Sequence, residues 1–492
     1  MEPTVTTRYG KIRGRMRDGV ASFLGVPYAA SPTGPLRFRP PAPPAAWDGI
    51  READRLGPTP PKPDYAAPFD TLLPEPSIAG DDWLSVNVWT PDPGRAGLPV
   101  MVWIHGGAFS NGNSAIPSYD GRAFARDGVV LVSLNYRLGI DGFAHLPDAP
   151  ANRGLLDQIA ALEWVRDNIE AFGGDPGNVT LFGESAGAMS VTTLLSLPRA
   201  AGLFTRAITQ SGAAQAAADP ADAALVAKEL GSALGREATA ASLAEVPLPE
   251  LIEAQITVRD ALVTQPDPAR FGATIVASSM AFIPVIDGDL IPAHPLTAIA
   301  GGAGSGVPLL TGTTTDEYRL FLVPTGIAAL ITEDALAGLL PVLGIGSAVA
   351  DLYRANRPGA SPGDLFAALI TDRFFRLPAL AVAAARAPGP ASTYVYEFAW
   401  PSPVDGLGAC HSLEIPFVFD NLAAEGTEPA LGPAPPAALA DRMHAAWLAF
   451  ARDGDPGWPA FDESCPVMIF DDPGGGLAAD PRGDERRIWL PA

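Results

Sequence analysis

The sequence predicts an α/β protein with a central, mostly parallel sheet flanked by helices. Three observations carry this reading. Residues 98–104 and 129–134 are continuous apolar runs, the pattern of central strands covered by helices on both faces. Residues 155–172 carry an apolar stripe at helical spacing through Leu156, Ile159, Leu162, Trp164, Val165 and Ile169. A short apolar run at 179–182 follows directly, and strand, helix, strand at this spacing is a parallel unit.

The other elements fit this frame in chain order. Residues 4–14 alternate as a small hairpin around Tyr9-Gly10. Residues 23–29 lead into a Pro-rich stretch ending at Trp47, which is expected to lie extended over a surface because repeated prolines preclude regular structure. Residues 58–78 are a second Pro-rich loop, and 84–90 alternate as a strand. Gly173-Gly174-Asp175-Pro176 ends the helix of 155–172. Residues 186–197 read as a helix, and 215–275 as helical, Ala-rich and acidic. Residues 308–312 form a short strand. Residues 325–387 are helical again, interrupted at Pro341 and Pro358. A strand at 394–398 precedes an amphipathic helix at 437–451, with Met443, Trp447 and Phe450 on one face. Residues 467–470 are read as a last strand.

The chain has 492 residues, more than the ~250–300 at which one core stops growing. With no internal repeat and no sharp composition break, residues 1–492 are read as a single domain. The helical blocks at about 215–280 and 325–387 are then insertions above the sheet edge. A hydrophobic content of 47 % suits a globular chain, and no window offers the ~20 apolar residues of a membrane span. The start lacks the basic and apolar regions of a signal peptide. Only Cys410 and Cys465 are present, so no disulfide framework is expected, and a cytoplasmic home is. A net charge of −22 argues against nucleic acid and anionic membranes as partners. Nothing resembles metal-ligand spacing, a phosphate loop or a nucleotide fingerprint, so neither a metal nor a cofactor is expected.

The chemistry is concentrated around Gly183-Glu184-Ser185-Ala186-Gly187. Between a strand and a helix, this pattern puts the serine on a tight turn that pushes its hydroxyl out of the sheet edge. The helix N-terminus, with its unpaired N–H groups, then faces whatever binds there. A serine hydroxyl needs a base to take its proton, and the base needs a third group to orient it. The chain holds five histidines: His105, His145, His294, His411 and His444. Around a serine turn of this kind the chain order is nucleophile, acid, base. His294 comes too early to leave room for the acid. His444 falls beside the core stripe of a helix, and His105 is read as holding its loop. His411 follows a strand, in the loop Gly408-Ala409-Cys410-His411-Ser412-Leu413-Glu414, where such side chains hang. The acid falls at Asp316-Glu317 after the strand of 308–312, and periodicity does not choose between the two. Gly106-Gly107 follows the buried run of 98–104. Its backbone can fold close to a ligand with N–H groups inward, as an oxyanion hole requires, with the Ala186 amide as third donor.

Together these pieces resemble the type-B carboxylesterase family, the cholinesterase-like branch of the α/β-hydrolases, including its bacterial para-nitrobenzyl-esterase-like members. The motifs that carry the resemblance span nearly the whole chain. They are Phe23-Leu24-Gly25-Val26-Pro27-Tyr28-Ala29, Asp81-Asp82-Trp83-Leu84-Ser85-Val86-Asn87-Val88, His105-Gly106-Gly107-Ala108-Phe109, Asn135-Tyr136-Arg137-Leu138-Gly139, Phe172-Gly173-Gly174-Asp175-Pro176, Gln210-Ser211-Gly212, and the serine, acid and His411 loops. The resemblance implies an α/β-hydrolase fold with helical insertions over an active-site gorge. It implies Ser185 as nucleophile, Glu317 as orienting acid and His411 as base, with Gly106, Gly107 and Ala186 as oxyanion donors. Glu184 and Ser211 would support them from behind, and Phe109 and Phe321 would wall the acyl pocket. Two departures stand out. Trp83 occupies the place of a disulfide cysteine in secreted relatives, which leaves the nearby loop covalently free. Tyr318 follows the acid where a glycine is usual.

The expected activity is that of a serine esterase of broad specificity for short- to medium-chain esters, acting as a monomer on small molecules. A dedicated carbamate, amide or toxin esterase is the alternative on the same residues. A catalytically silent interaction protein is the alternative of another class, and the intact set of three residues speaks against it.

Overall fold

The computed structural model describes residues 2–489. A small sheet of three strands forms first: β1 (Thr4–Thr7) and β2 (Gly10–Arg13) make the expected hairpin, and β5 (Ile50–Glu52) pairs beside β2. Between them in sequence lie β3 (Arg15–Arg17) and β4 (Val20–Pro27), which open the main sheet. That sheet continues with β6 (Ser85–Thr90), β7 (Leu98–Ile104), β8 (Val130–Leu134), β9 (Gly174–Glu184), β10 (Arg206–Gln210), β11 (Leu309–Thr314), β12 (Thr393–Phe398), β13 (Pro466–Phe470) and β14 (Gly476–Ala479). Its order is β14-β13-β12-β11-β10-β9-β7-β8-β6-β4-β3. From β8 to β13 all neighbours run parallel, and the edges are antiparallel. The fold is that of an α/β-hydrolase, as expected.

Both faces of the centre are buried, which is why its strands read as continuous apolar runs. On β7, Val100, Val102 and Ile104 join the core on one face, and Met101 and Trp103 the core on the other, as the period of two dictates. Helix α1 (Arg153–Asn168) and helix α2 (Ala186–Ser196) contribute Leu155, Ile159 and Val191 to the first core. The helix of Ala437–Asp453 contributes Met443, Trp447 and Phe450 to the second.

The helical blocks are more broken than the sequence suggests. Residues 215–275 hold α3 (Pro220–Leu234), α4 (Leu248–Thr264) and three short helices. Further on come α5 (Glu333–Val342), α6 (Ser347–Asn356), α7 (Pro362–Thr371) and α8 (Leu377–Arg386), then α9 (Ala437–Asp453) and α10 (Gly483–Trp489). Pro341 does not interrupt: it lies within the last turn of α5, and the break follows at 343–346. A π-helical turn, Asp372–Arg376, joins α7 to α8. Five strands escape the sequence reading: the short β3, β4 and β5 near the start, the central β10, and β14, which pairs with β13 after the strand read as last.

Candidate active site

Four loops meet at the carboxyl ends of neighbouring parallel strands. The loop after β7 brings Gly106 and Gly107, that after β9 brings Ser185, that after β11 brings Glu317 and that after β12 brings His411. Strand order places these ends side by side, where an open α/β sheet binds ligands.

Ser185 sits at φ 55° and ψ −124°, a conformation that side chains rarely adopt. Its amide donates to Gln210 O at 2.8 Å, so the turn is tied to β10. The turn closes only because Gly187 lacks a side chain: a Cβ there would collide with Ile104 O at the end of β7. Gly107, at φ 110°, has the same property against Asn111 O.

His411 Nε2 lies 2.9 Å from Ser185 Oγ, and its Nδ1 lies 2.6 Å from Glu317 Oε2. Glu317 is fully buried, and its second oxygen accepts from the Thr314 amide at 2.8 Å. Asp316 does not reach the ring: it accepts from the Ala409 amide of the same loop at 3.0 Å. The structure thus brings Glu317, and not Asp316, to the imidazole. Tyr318 does not displace it. The Tyr318 ring packs on Phe321 and Phe374 instead.

Glu184 is closer to the imidazole than a supporting place implies. Its Oε1 stands 3.1 Å from His411 Nε2 and accepts from Ser412 Oγ at 2.6 Å. Glu414, which the sequence reading quoted but gave no role, is buried behind it and accepts from Gln210 Nε2 at 3.1 Å. Gln210 in turn accepts from Trp447 Nε1 at 3.0 Å. Burial lowers the basicity of His411, but the carboxylates of Glu184 and Glu317 override it and push the ring up to about 9. Burial pushes Glu184 up to about 7 and Glu414 up to about 8, the latter also through its acidic neighbours. One cluster of buried acids and one base therefore share protons.

His105, His444 and His294 stay away from the serine. His105 is buried, with Nδ1 at 2.8 Å from Gly106 O and its ring stacked on Tyr136. Burial pulls it down to about 4. The Nδ1 of His444 lies 2.7 Å from Val418 O inside α9. His294 caps a short helix through the Leu296 amide.

A cavity of about 330 Å³ opens over Ser185 and His411. Gly106, Gly107, Glu184 and Phe321 line it, and the loop of 58–78 adds Tyr65, Phe69 and Glu75. Phe375, from the π-helical turn, packs 4.9 Å from the His411 ring and went unnoticed in sequence. Phe109 corrects the sequence reading: its ring is fully buried against Phe143 at 4.9 Å, and Ala108 takes its place in the lining. Both residues have positive φ, 52° for Ala108 and 58° for Phe109, which rotates the ring into the core. Ser211, also at positive φ, is buried, and its amide donates to Gly312 O at 2.8 Å. Its contact is with the sheet.

A family model described as "Carboxylesterase family" matches residues 1–471. The chain belongs to the carboxylesterase family. It is 39 % identical to a para-nitrobenzyl esterase of Bacillus subtilis over 99 % of this chain and 98 % of that one. A phenmedipham hydrolase of Pseudarthrobacter oxydans is 35 % identical over 97 % of each. Among solved structures, a carboxylesterase of Geobacillus stearothermophilus superposes with a TM-score of 0.86 at 39 % identity, covering 99 % of this chain and 100 % of that one. This carboxylesterase is an ester-hydrolysing enzyme of broad serine-esterase type. No described helix is long and apolar enough to cross a membrane.

Proposed function

We propose that this carboxylesterase hydrolyses small esters through an acyl-enzyme on Ser185. The observation that carries the reading is the continuous chain Ser185 Oγ, His411, Glu317 at the foot of a cavity. His411 accepts the Ser185 proton at Nε2 as Oγ attacks the ester carbonyl, while Glu317 holds the Nδ1–H and stabilises the imidazolium. The amides of Gly106, Gly107 and Ala186 receive the oxyanion. His411 passes its proton to the departing alcohol, and water repeats the sequence on the acyl-enzyme. Glu184, beside Nε2, and the buried Glu414 raise the basicity of the ring.

The cavity volume and the aromatic ring of Phe321 beside His411 favour short to medium acyl chains. Its lining holds Glu75, Glu184 and Glu425 against Arg259, which favours neutral or cationic esters over anionic ones. We read residues 1–492 as one catalytic unit that works as a monomer in the cytoplasm. Two cysteines, both unpaired, support that location. Rates on p-nitrophenyl esters from acetate to palmitate, below and above micelle formation, test the substrate reading. The expected profile peaks at short or medium chains with no jump at an interface. A maximum at long chains, or a jump in rate, would overturn it.

A further inference from the structure

Residues 59–78 form a loop without regular structure apart from Phe69–Leu72, and no disulfide closes it. Its base is shut by hydrogen bonds: the Thr59 amide donates to Ile78 O at 3.0 Å, and the Ile78 amide to Thr59 Oγ1 at 3.0 Å. Inside it, Lys62 Nζ meets Glu75 Oε2 at 2.6 Å, with the two side chains only 2 % and 6 % exposed. The chain has three lysines in all, Lys11, Lys62 and Lys228, and this one is buried beside the cavity. A buried ion pair adds little to stability on balance, because desolvation offsets the attraction. Its placement here calls for another account.

Glu75 supplies one. Its Oε1 accepts from the Gly112 amide at 2.6 Å. Gly112 stands at the far end of the turn that begins with Gly106 and Gly107. Its Cα presses on Gly106 O and on the His105 ring so closely that a Cβ would collide with both. The Asn111 amide donates back to Gly107 O at 2.8 Å, and Asn111 Nδ2 donates to Pro63 O at 2.8 Å. Asn113 Nδ2 donates to Pro76 O at 3.0 Å. The loop of 59–78 is therefore stitched to Asn111, Gly112 and Asn113, and its one charged partner, Glu75, takes the Gly112 amide on Oε1 and Asn111 Nδ2 at 3.5 Å on Oε2. Burial raises the Glu75 carboxyl, and the nearby Lys62 ammonium opposes that rise.

We propose that Lys62 and Glu75 are positioning residues for ester hydrolysis: the buried pair fixes the carboxylate that holds Gly112, and through it the amides of Gly106 and Gly107. The inference rests on the proposed oxyanion role of those two glycines. A Glu75 carboxylate held ionised by Lys62 is a stronger acceptor for the Gly112 N–H than a neutral group. Donors aimed at an oxyanion act by being fixed before the charge appears, so a looser turn costs rate without weakening ground-state binding.

The test uses Lys62→Met, Glu75→Gln, the apolar double variant Lys62→Met with Glu75→Leu, and Lys62→Arg. Each is assayed on p-nitrophenyl acetate and against an alkyl trifluoromethyl ketone, which forms a tetrahedral adduct on serine. Both single variants and the double variant are expected to lose ~10- to ~100-fold in kcat with KM little changed, in line with the cost of misplacing transition-state groups. Affinity for the ketone should fall by the same factor as kcat/KM, and Lys62→Arg should recover most of both. The double variant removes both charges together, so it escapes the folding penalty of a lone buried charge. If it keeps kcat and ketone affinity, the pair is only a structural tie and the proposal falls. A rise in KM with ketone affinity intact would likewise overturn it, by showing that the pair shapes the cavity wall alone. Tight ketone binding by the parent enzyme, together with fluorophosphonate labelling of its Ser185, tests the underlying reading separately.

Discussion

Glu184→Gln is the most informative single change. In the parent enzyme two carboxylates contact the His411 ring, Glu317 at Nδ1 and Glu184 at Nε2. Only Glu317 is needed to orient a neutral base. Glu184 competes with Ser185 for Nε2: it stabilises a doubly protonated ring that cannot accept the Ser185 proton. A base with a raised pKa is silent below that value, so kcat/KM should rise with pH through a limb above the ordinary histidine value of ~6.5, in the direction of the value of about 9 for this ring. Two unit charges about 4 Å apart at an effective dielectric of about 20 interact by about 4 kcal/mol, or about 3 pKa units. Glu184 is itself pushed up by burial, so it carries less than a full charge where the ring titrates, and the effect is smaller than the full pair would give, about 1–2 pKa units. The glutamine keeps the shape and a carbonyl acceptor for Ser412, so the acidic limb should move down by about that much, with activity gained below neutrality. Profiles of kcat/KM on p-nitrophenyl acetate between pH ~5 and ~10, repeated with the rate of fluorophosphonate labelling, measure it without dependence on one substrate. A limb that stays in place, or moves up, would refute the account of Glu184 as a partner of the base.

Four further outcomes are expected. A fluorophosphonate should label the folded enzyme, and Ser185→Ala should abolish the label; a label that persists would place the nucleophile elsewhere. Glu317→Gln should cost ~10²–10⁴ in kcat, while Asp316→Asn should cost far less, since Asp316 holds only the Ala409 amide; the reverse ranking on steady-state assay would exchange their roles. Phe321→Ala, which removes a ring that lines the cavity beside His411, should move the optimum on a p-nitrophenyl ester series to longer acyl chains, and an unchanged optimum would remove Phe321 from the acyl wall. Trp447→Ala should lower stability by about 3–5 kcal/mol in denaturant melts, because the ring is fully buried and its Nε1 holds Gln210; a loss within ~0.5 kcal/mol would contradict that packing.

What could be read in the sequence depended on how far each signal reaches along the chain. Strands β7, β8 and β9 lie under helices on both faces and so appear as apolar runs. Strand β10 is equally central, but its residues Arg206, Thr209 and Gln210 hide it. Their polar groups are satisfied by partners distant in sequence: Thr209 by Thr311 Oγ1 at 2.7 Å, and Gln210 by Glu414 and Trp447. No periodicity announces such a strand. Strand β14 is short and largely exposed at the sheet edge, where little constrains its composition. Phe109 shows a different limit. Its position in the turn after β7 was legible, but two successive residues at positive φ decide which way the ring points, and Ala108-Phe109 gives no hint of that conformation.

The adjacent acids after β11 show how folding resolves what local pattern leaves open. Asp316 and Glu317 follow the same strand, and both turn toward the loop that carries His411. They grip it at different places. The shorter side chain reaches only main chain, the Ala409 amide. Glu317 reaches further: its carbonyl accepts from the His411 amide at 3.3 Å, and its carboxylate spans the Thr314 amide and the imidazole. That second oxygen matters as much as the first. A carboxylate tied to Thr314 has one orientation to offer, so the proton on His411 is held on Nδ1 and the lone pair of the neutral ring is left at Nε2, facing Ser185. Position along the turn, and not charge, thus decides between two neighbouring carboxylates, and it does so only once β11 and β12 lie side by side.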